Sequence, residues 1–437
     1  MTSALSINFR IGASEQFLES VSEPSSSNLY FTYGKVDAWA NDSAPDSANT
    51  SVATEYEVWK NMIGAKKVTG NDMRHVANRY DWKANNVYIA YDHINPNIVG
   101  VDNVQFYVLT SAKHVYKCLA NNYGANSTVE PTAINPNTTT QTADGYTWKY
   151  MFSVADSDLL KFTTGSYIPV KKITSDDGSL QWSVQSGATE GAIHNIVITN
   201  GGSGYTNTNN LIVTISGDGT GAAAYANISA SNVVSNVTIT NIGAGYSEAT
   251  VTITGGGGTG ATARAIISPI DGHGSNPIYE LGASKILLNA RLAGTEGGII
   301  PANNEFRQVS IIKEPLVRGT SNVAANSVIL QAYKITTAGS GTYTPDEYVY
   351  QGATLATASF KGKVLVDNVG EIIIVNTVGT PTSGTLLGAN SATARLITSS
   401  DDGELQPFSG QLLYIDNIKP ITRSSDQTED FKIVFKF

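Results

Sequence analysis

The last twelve residues of this 437-residue chain, 426–437, have the sequence DQTEDFKIVFKF. Phe431, Ile433, Phe435 and Phe437 recur at every second position, so a β-strand would place all four on one face. Chain ends are usually polar and poorly ordered. An apolar strand here predicts instead that the C-terminus closes a core begun elsewhere in the chain. Burial of the four side chains would contribute about 6 to 10 kcal/mol, which offsets the entropy of closing a long loop.

The composition favours a large, mainly β protein. Charged residues make up 15% of the chain, below the usual quarter, and Asn, Thr, Ser and Gly take their place, which is typical of proteins with many turns. The length predicts two to four domains. The net charge is −9, and Arg264 is the only basic residue between Lys172 and Lys285, so no nucleic-acid partner is expected.

Two further absences in the sequence limit the class of protein. No stretch approaches 18 continuous apolar residues, so the sequence predicts no membrane-spanning helix and no membrane partner. Cys118 is the only cysteine, so no internal disulfide can form. A lone cysteine in the apolar stretch HVYKCLA is expected to be a buried strand residue.

A repeat occupies residues 191–268. The stretch IVITNGGSGYTNTNNLIVTISGDGTGAAAYANI is followed about 40 residues later by VTITNIGAGYSEATVTITGGGGTGATARAII. Each copy predicts strand, glycine turn, strand, glycine turn, strand. Tyr205 and Tyr246 occupy equivalent positions, and each is expected to cover the small core of its own copy.

Helix signals are few. TEYEVWKNMIG, residues 54–64, predicts a helix, since Thr54 and Glu57 have capping-box spacing and Gly64 can end it. Most other segments alternate strand patterns with turns. The sequence therefore predicts a mainly β, multi-domain antiparallel β-sandwich architecture with a few short helices and inserted Gly-rich β modules.

The predicted organisation has six segments, of which three form the core, one is a β-sandwich domain and two are insertions. They are 1–85, the N-terminal part of the core domain; 86–187, a β-sandwich domain; 188–270, the inserted two-copy Gly-Tyr repeat; 271–318, a return to the core; 319–406, a second inserted β module; and 407–437, C-terminal strands that close the core.

No catalytic, cofactor-binding or metal site is predicted. The Gly-rich stretches precede strands, whereas a dinucleotide fingerprint requires a following helix. The five histidines lack metal-ligand spacing. His273, in DGHGSNP, is expected to lie in a tight loop and to bind backbone carbonyls. A large β protein without a catalytic constellation has the profile of a component of an assembly rather than of an enzyme.

A series of short segments resembles one known family, the baseplate wedge protein of T-even-type contractile-tailed bacteriophages, which is the product of gene eight. The resemblance covers roughly residues 5–185, 283–316 and 408–437. The segments, in chain order, are LYFTYGKVDAWA, VWKNMIGAKKV followed by NRYDW, VYKCL, DGYTWKYMFSV, NNEFRQVSIIKEPL and SGQLLYIDNIKPITRSSDQTEDFKIVFKF. The order of these segments is more specific than any one of them.

The resemblance implies a structural homodimer without enzymatic activity or cofactor. Such a protein would be assembled in the host cytoplasm, lie in the tail baseplate of the virion, and contact other wedge subunits. The repeat and the 319–406 segment depart from the T-even pattern and are interpreted as insertions, typical of a cyanophage-like myovirus. The insertions also leave open an alternative, a tail-associated receptor- or glycan-binding protein that contacts a host-surface glycan.

Seven residues are predicted to contact partner subunits, because aromatic and arginine side chains dominate interface energies. They are Tyr33, Trp39, Trp59, Trp82, Arg307, Tyr414 and Arg423.

Overall fold

The computed structural model describes residues 5–23, 27–95, 97–206 and 211–437. The mainly β fold with several antiparallel sheets and few short helices is confirmed. The helices of the described residues are α1 (Ile7–Ser22), α2 (Val52–Asn61), α3 (Asp156–Phe162), α4 (Leu180–Ser186) and α5 (Pro277–Glu280). Within the described ranges no helix is both long and apolar enough to cross a membrane.

Strands account for most of the regular secondary structure. In chain order they are β1 (Leu29–Gly34), β2 (Met62–Val68), β3 (Met73–Asn78), β4 (Tyr107–Leu109), β5 (His114–Asn121), β6 (Thr139–Gln141), β7 (Tyr146–Ser153), β8 (Tyr167–Val170), β9 (Ile193–Ser203), β10 (Ile212–Gly217), β11 (Thr220–Ile228), β12 (Val234–Ala244), β13 (Ala249–Thr254), β14 (Thr259–Ile267), β15 (Lys285–Ala293), β16 (Glu305–Lys313), β17 (Val328–Leu330), β18 (Tyr333–Ala338), β19 (Tyr348–Gln351), β20 (Phe360–Asn368), β21 (Glu371–Val378), β22 (Gly384–Gly388), β23 (Ala394–Asp401), β24 (Gln411–Thr422) and β25 (Thr428–Lys436).

The chain forms two compact units, and each combines segments distant in sequence. The first contains residues 1–16, 74–287 and 434–437, and the second contains residues 17–73 and 288–433. The six predicted segments are a finer division of the chain, and that division remains a prediction.

In the second unit, a five-stranded sheet joins strands from both ends of the chain. Its order is β17-β2-β1-β16-β24. The central strand β1 is antiparallel to β2 and β16, and β24 pairs with the other side of β16. The core on one face includes Tyr30, Trp59, Ile312 and Leu405. N-terminal strands and a strand from the last thirty residues therefore share one sheet.

The helix predicted over 54–64 is shorter and begins earlier. It spans Val52–Asn61, and the side chain of Ser51, rather than Thr54, caps it by accepting from the Thr54 backbone N–H at 3.3 Å. Met62 is extended and starts β2. The apolar residues after position 61 satisfied the helical period as well as the strand period, and pairing of β2 with β1 decides between them.

The second unit also contains a closed six-stranded barrel, with the order β18-β21-β20-β19-β22-β23 and a final pairing of β23 with β18. Its interior contains buried aliphatic side chains, among them Ile335, Val364, Ile374 and Leu386. Closure leaves the barrel without an open sheet edge.

In the first unit, one sheet has the order β4-β5-β7-β6. The rings of Tyr146 and Trp148 on β7 pack together with that of Tyr88. Cys118 is fully buried on β5, as predicted. A second core contains Phe106, Val115, Phe152 and Ile168.

The two sequence repeats exchange strands. Each copy forms three strands as predicted, and residues 207–210, between the first two strands of the first copy, lie outside the described residues. The first strand of copy one, β9, pairs with the last strand of copy two, β14, and the last strand of copy one, β11, pairs with the first strand of copy two, β12. The middle strands, β10 and β13, pair with each other. The copies are thus related by a local two-fold axis.

The two repeat tyrosines follow the same exchange, so the prediction that each covers its own copy is wrong. The Tyr205 hydroxyl accepts a hydrogen bond from the Ala261 N–H of copy two at 3.2 Å, and Tyr246 accepts one from the Ala222 N–H of copy one at 3.4 Å. Each ring covers a glycine of the other copy, Gly258 or Gly219, where a Cβ atom would lie about 2.5 Å or 2.4 Å from ring carbon. Sequence identity between copies could not show which copy each ring contacts.

The last strand, β25, is the edge of a sheet with the order β25-β15-β3-β8. Ile433 is buried, while Phe431, Phe435 and Phe437 are half-buried. Within the second unit, the Phe431 ring lies 4.8 Å from that of Phe31 on β1 and 6.0 Å from that of Phe306 on β16.

Candidate subunit-interface residues

The seven predicted interface residues occupy different environments. Tyr33, Arg307 and Arg423 are buried, Trp59 is 7% exposed, and Trp39, Trp82 and Tyr414 are half-buried. All of them except Trp82 belong to the second unit. Their contacts with partner subunits remain a prediction, and their contacts within the chain are as follows.

Arg423 and Tyr33 lie together in one buried cluster. The Arg423 guanidinium donates to Glu429 Oε2 at 3.1 Å, to the Gly294 carbonyl at 2.6 Å and to the Pro301 carbonyl at 3.4 Å. It also lies 5.5 Å from the centre of the Tyr33 ring. Burial raises the pKa of the Tyr33 hydroxyl well above its usual range. A buried guanidinium with this many partners fixes the connections beside β24 and β25.

Arg307 forms a second charged cluster. It donates from Nε and Nη2 to the carboxylate of Asp42 at 3.0 Å each, to Glu305 at 2.8 Å and to the Val36 carbonyl at 2.8 Å. The hydrogen bond from Arg307 holds the pKa of Asp42 below its usual range. Asp42 also accepts from the backbone N–H of Trp39 at 2.8 Å, so this cluster orders the loop after β1.

Trp39 and Tyr414 both lie at β24. The Trp39 indole N–H donates to the Ile418 carbonyl at 3.1 Å, and the Lys35 ammonium lies 4.3 Å from the indole ring. The Tyr414 hydroxyl donates to Asp416 at 3.0 Å. Both side chains therefore have exposed surface next to the edge strand of the five-stranded sheet.

An exposed aromatic pair that was not predicted lies beside Trp59. Tyr56 and Phe408 are 54% and 55% exposed. Their ring centres lie 4.3 Å apart, and the centre of the Phe408 ring lies 6.3 Å from that of Trp59. Phe408 has a φ of 63°, which is rare for an aromatic residue. Val52, which is 67% exposed, lies on the same helix, α2, as Tyr56. One signal for this pair is present in the sequence, a phenylalanine directly before Ser409–Gly410 in a turn.

Trp82 lies in the first unit, where its indole N–H donates to Ser127 Oγ at 3.2 Å. His273 also lies in this unit, and the prediction that it binds backbone carbonyls is wrong. It is buried next to Lys117, whose ammonium lies 3.1 Å from His273 Nδ1 and 2.9 Å from Glu280 Oε2. Burial lowers the pKa of His273 well below its usual range, and nearby Lys117 adds to this effect.

Over the described ranges, no group of three or more His, Cys, Asp or Glu side chains is arranged to hold a metal ion.

Comparison with known proteins gives one family. Residues 3–129 match the Phage-Gp8 family, described as Bacteriophage T4, Gp8. No curated protein matches the chain. The matched segment contains β1 to β5 and four of the predicted interface residues, Tyr33, Trp39, Trp59 and Trp82. Over residues 3–129, therefore, the chain is similar to the Phage-Gp8 family, and this similarity points to a structural protein of the phage baseplate.

Proposed function

We propose that the chain is a structural subunit of the baseplate wedge in a contractile phage tail. It holds the geometry of the wedge and contacts other wedge proteins during assembly and tail contraction. It has no enzymatic activity, is assembled in the host cytoplasm, and forms a homodimer. The observation that carries this proposal is the family match over residues 3–129.

The architecture of the second unit supports the proposal. The matched segment supplies β1 and β2, and the unmatched residues 305–313 and 411–422 complete the same sheet. Two arginine clusters, around Arg307 and Arg423, tie the connections of that sheet together. A sheet that joins distant segments, and whose connections are held by arginine hydrogen bonds, is suited to keeping a fixed geometry.

The partner-facing surface is proposed to include the exposed aromatic patch of Tyr56, Phe408 and Val52, together with Trp39 and Tyr414. Exposed aromatic residues that are rigidly held make good interface anchors, because they lose little conformational entropy on binding. Tyr33, Arg307 and Arg423 then act behind that surface and fix the backbone that presents it.

Light scattering of the purified chain tests the proposal. A mass of twice 46.2 kDa is expected for the homodimer. A stable trimer would contradict the wedge proposal and would favour the alternative, a spike-like receptor-binding protein. A single-chain mass at all concentrations would remove the homodimer from the proposal.

Phe408→Ser with Tyr56→Ser then checks the aromatic patch, and Tyr348→Ser, a similarly exposed tyrosine on the barrel, is the control.

A further inference from the structure

A cavity of about 530 Å³ lies within the first unit, between the β5–β7 sheet and the repeat module. One wall comes from β5, β6, β7 and the turn residues Asn122 and Tyr123, and the other comes from β9 and β12. This volume is in the range of small-molecule binding sites in proteins. Both the repeat module and the β4-β5-β7-β6 sheet are therefore needed to form the cavity.

The cavity is polar but carries no formal charge. Of the described residues that line it, none is Asp, Glu, Lys or Arg. Its polar side chains are amides and hydroxyls, such as Gln141, Thr147, Asn195 and Asn236. An anionic ligand would find no guanidinium or ammonium group as a charge partner in this lining. The lining therefore selects a neutral ligand that offers many hydroxyl groups.

Several of these polar groups have unused hydrogen-bonding capacity. The side chains of Gln141, Thr147 and Asn236 form no hydrogen bond within the described part of the chain. Gln141 and Asn236 are exposed, so no other side chain covers them. Asn195 donates its amide to the Leu119 carbonyl at 2.9 Å, which fixes the orientation of the remaining oxygen. The wall therefore presents both donors and acceptors.

His194 supplies a further unpartnered group. It lines the cavity, and its Nδ1 atom is shielded from solvent and has no hydrogen-bond partner among the described residues. Burial, followed by the positive charges of Lys149 and Lys117, lowers the pKa of His194 to about 4. Its imidazole is therefore neutral near pH 7 and provides one donor and one acceptor.

The mouth of the cavity contains a strained aromatic turn. Asn122, Tyr123 and Gly124 have φ values of 46°, 55° and 81°. Tyr123 is 62% exposed, and its hydroxyl donates to the Ser235 carbonyl on the opposite wall at 2.7 Å. Strain of this kind persists where surrounding structure maintains it and is concentrated at ligand sites. Apolar side chains of the repeat strands, including Ile196 and Ile239, complete the lining.

We propose that this cavity is a binding site for a short neutral saccharide. A sugar ring combines hydroxyl groups at its rim with apolar C–H faces, and this wall combines amides and hydroxyls with aliphatic side chains and an aromatic ring at the mouth. The inference goes beyond the structural role, because a wedge subunit requires no small ligand.

The test uses the labelled full-length chain on an array of neutral and acidic oligosaccharides, followed by titration calorimetry with the strongest binder. The proposal expects binding to neutral saccharides only. Asn236→Ala combined with Gln141→Ala should weaken that binding at least ten-fold. Asn368→Ala changes an exposed asparagine in the second unit and should leave binding unchanged.

Thr147→Trp provides an independent variant that fills the cavity without removing an amide, and it should also abolish binding. Unchanged melting curves for the variants would show that they fold. The proposal is overturned if no neutral saccharide binds, if only acidic saccharides bind, or if the cavity variants of the folded protein bind as the unaltered chain does.

Discussion

The repeat module, β9 to β14, and the barrel, β18 to β23, are each built from one continuous stretch of chain, but they are stabilised in different ways. The module contains two copies of one sequence that exchange strands about a local two-fold axis. The barrel has no clear internal repeat and closes on itself through the pairing of β23 with β18. The sequence repeat makes the module easy to recognise, whereas the barrel is recognised only once its strands are paired.

The difference extends to the buried contacts. In the module, two tyrosine rings lie over glycines of the opposite copy, so packing across copies dominates. In the barrel, Arg395 donates to Asp367 at 2.6 Å with both side chains 3% exposed, and the guanidinium lies 4.5 Å from the Tyr343 ring. The module should therefore be sensitive to changes of shape, and the barrel to loss of charge pairing.

The largest effect is expected from Arg395→Met in the barrel. It leaves Asp367 buried without its charge partner, which should destabilise the barrel by about 3 to 5 kcal/mol. Hydrogen exchange followed by mass spectrometry on the full chain should show lost protection over residues 333–401 and unchanged protection over 193–267. Lys334→Met breaks an exposed pair with Glu371 in the same barrel and should change protection little. Equal effects of the two variants would contradict the distinction.

Removal of either repeat tyrosine should have the next largest effect. Tyr205→Ala and Tyr246→Ala each delete a buried ring and should destabilise the module by about 3 to 5 kcal/mol. Because the rings cross between copies, either variant should reduce exchange protection in both copies by a similar amount. Tyr225→Ala, at a 49% exposed position of β11, is the control. Loss of protection in one copy only would show that the copies are stabilised separately.

A smaller effect is expected from a methyl group placed under either ring. Gly219→Ala and Gly258→Ala would bring a Cβ within about 2.5 Å of Tyr246 and Tyr205, and we expect about 1 to 3 kcal/mol of destabilisation. Gly165→Ala, where a Cβ would meet no atom within 4 Å, should be neutral or slightly stabilising. Urea titration monitored by hydrogen exchange gives all three values. The added Cβ would also lie 2.5 Å from the Tyr246 backbone N or 2.6 Å from the Ser203 carbonyl O, so neutral behaviour of the first two would mean that both rings and backbone shift freely.

The smallest effect is expected from mild acid, which should destabilise the first unit more than the second. All five histidines lie in the first unit, and burial lowers the pKa of each below 6.5. Below pH 6.5 the unfolded chain binds protons that the folded unit excludes, so stability falls as pH decreases toward the folded pKa. His194, with a pKa of about 4, lowers the free energy of unfolding by on the order of 1 kcal/mol at pH 5.5.

Hydrogen exchange at pH 7 and pH 5.5, corrected for intrinsic rates, should show that acid reduces protection in the repeat module. Protection in the barrel should be the same at both pH values. His194→Gln should reduce this pH dependence. A barrel that loosens equally with acid would contradict the histidine explanation.

The sequence predicted the mainly β fold, the three strands of each repeat copy and the burial of Cys118, because these depend on local periodicity and composition. It misjudged features that depend on pairing between distant residues. Residues 62–64 join a strand because β1 offers backbone partners, and Tyr205 and Tyr246 cross between copies because strand exchange places them there. The buried partners of His273, Lys117 and Glu280, are 156 and 7 residues away, so no local motif could identify them as a cluster.

The exposure of aromatic side chains is subject to the same limit. Aromatic identity alone does not distinguish Tyr33, which is buried, from Tyr56 and Phe408, which are exposed side by side. Exposure is a property of the packed chain, and residue type predicts it poorly for tyrosine and tryptophan.

The central claim is that the chain is a structural part of the phage baseplate. Antibodies raised against the purified chain can be applied to particles of the phage that encodes it, and electron microscopy then locates the label. The account predicts labelling at the end of the tail distant from the head, and the presence of the chain in purified baseplates by mass spectrometry. Labelling of the head, or a chain that is absent from purified particles, would contradict it.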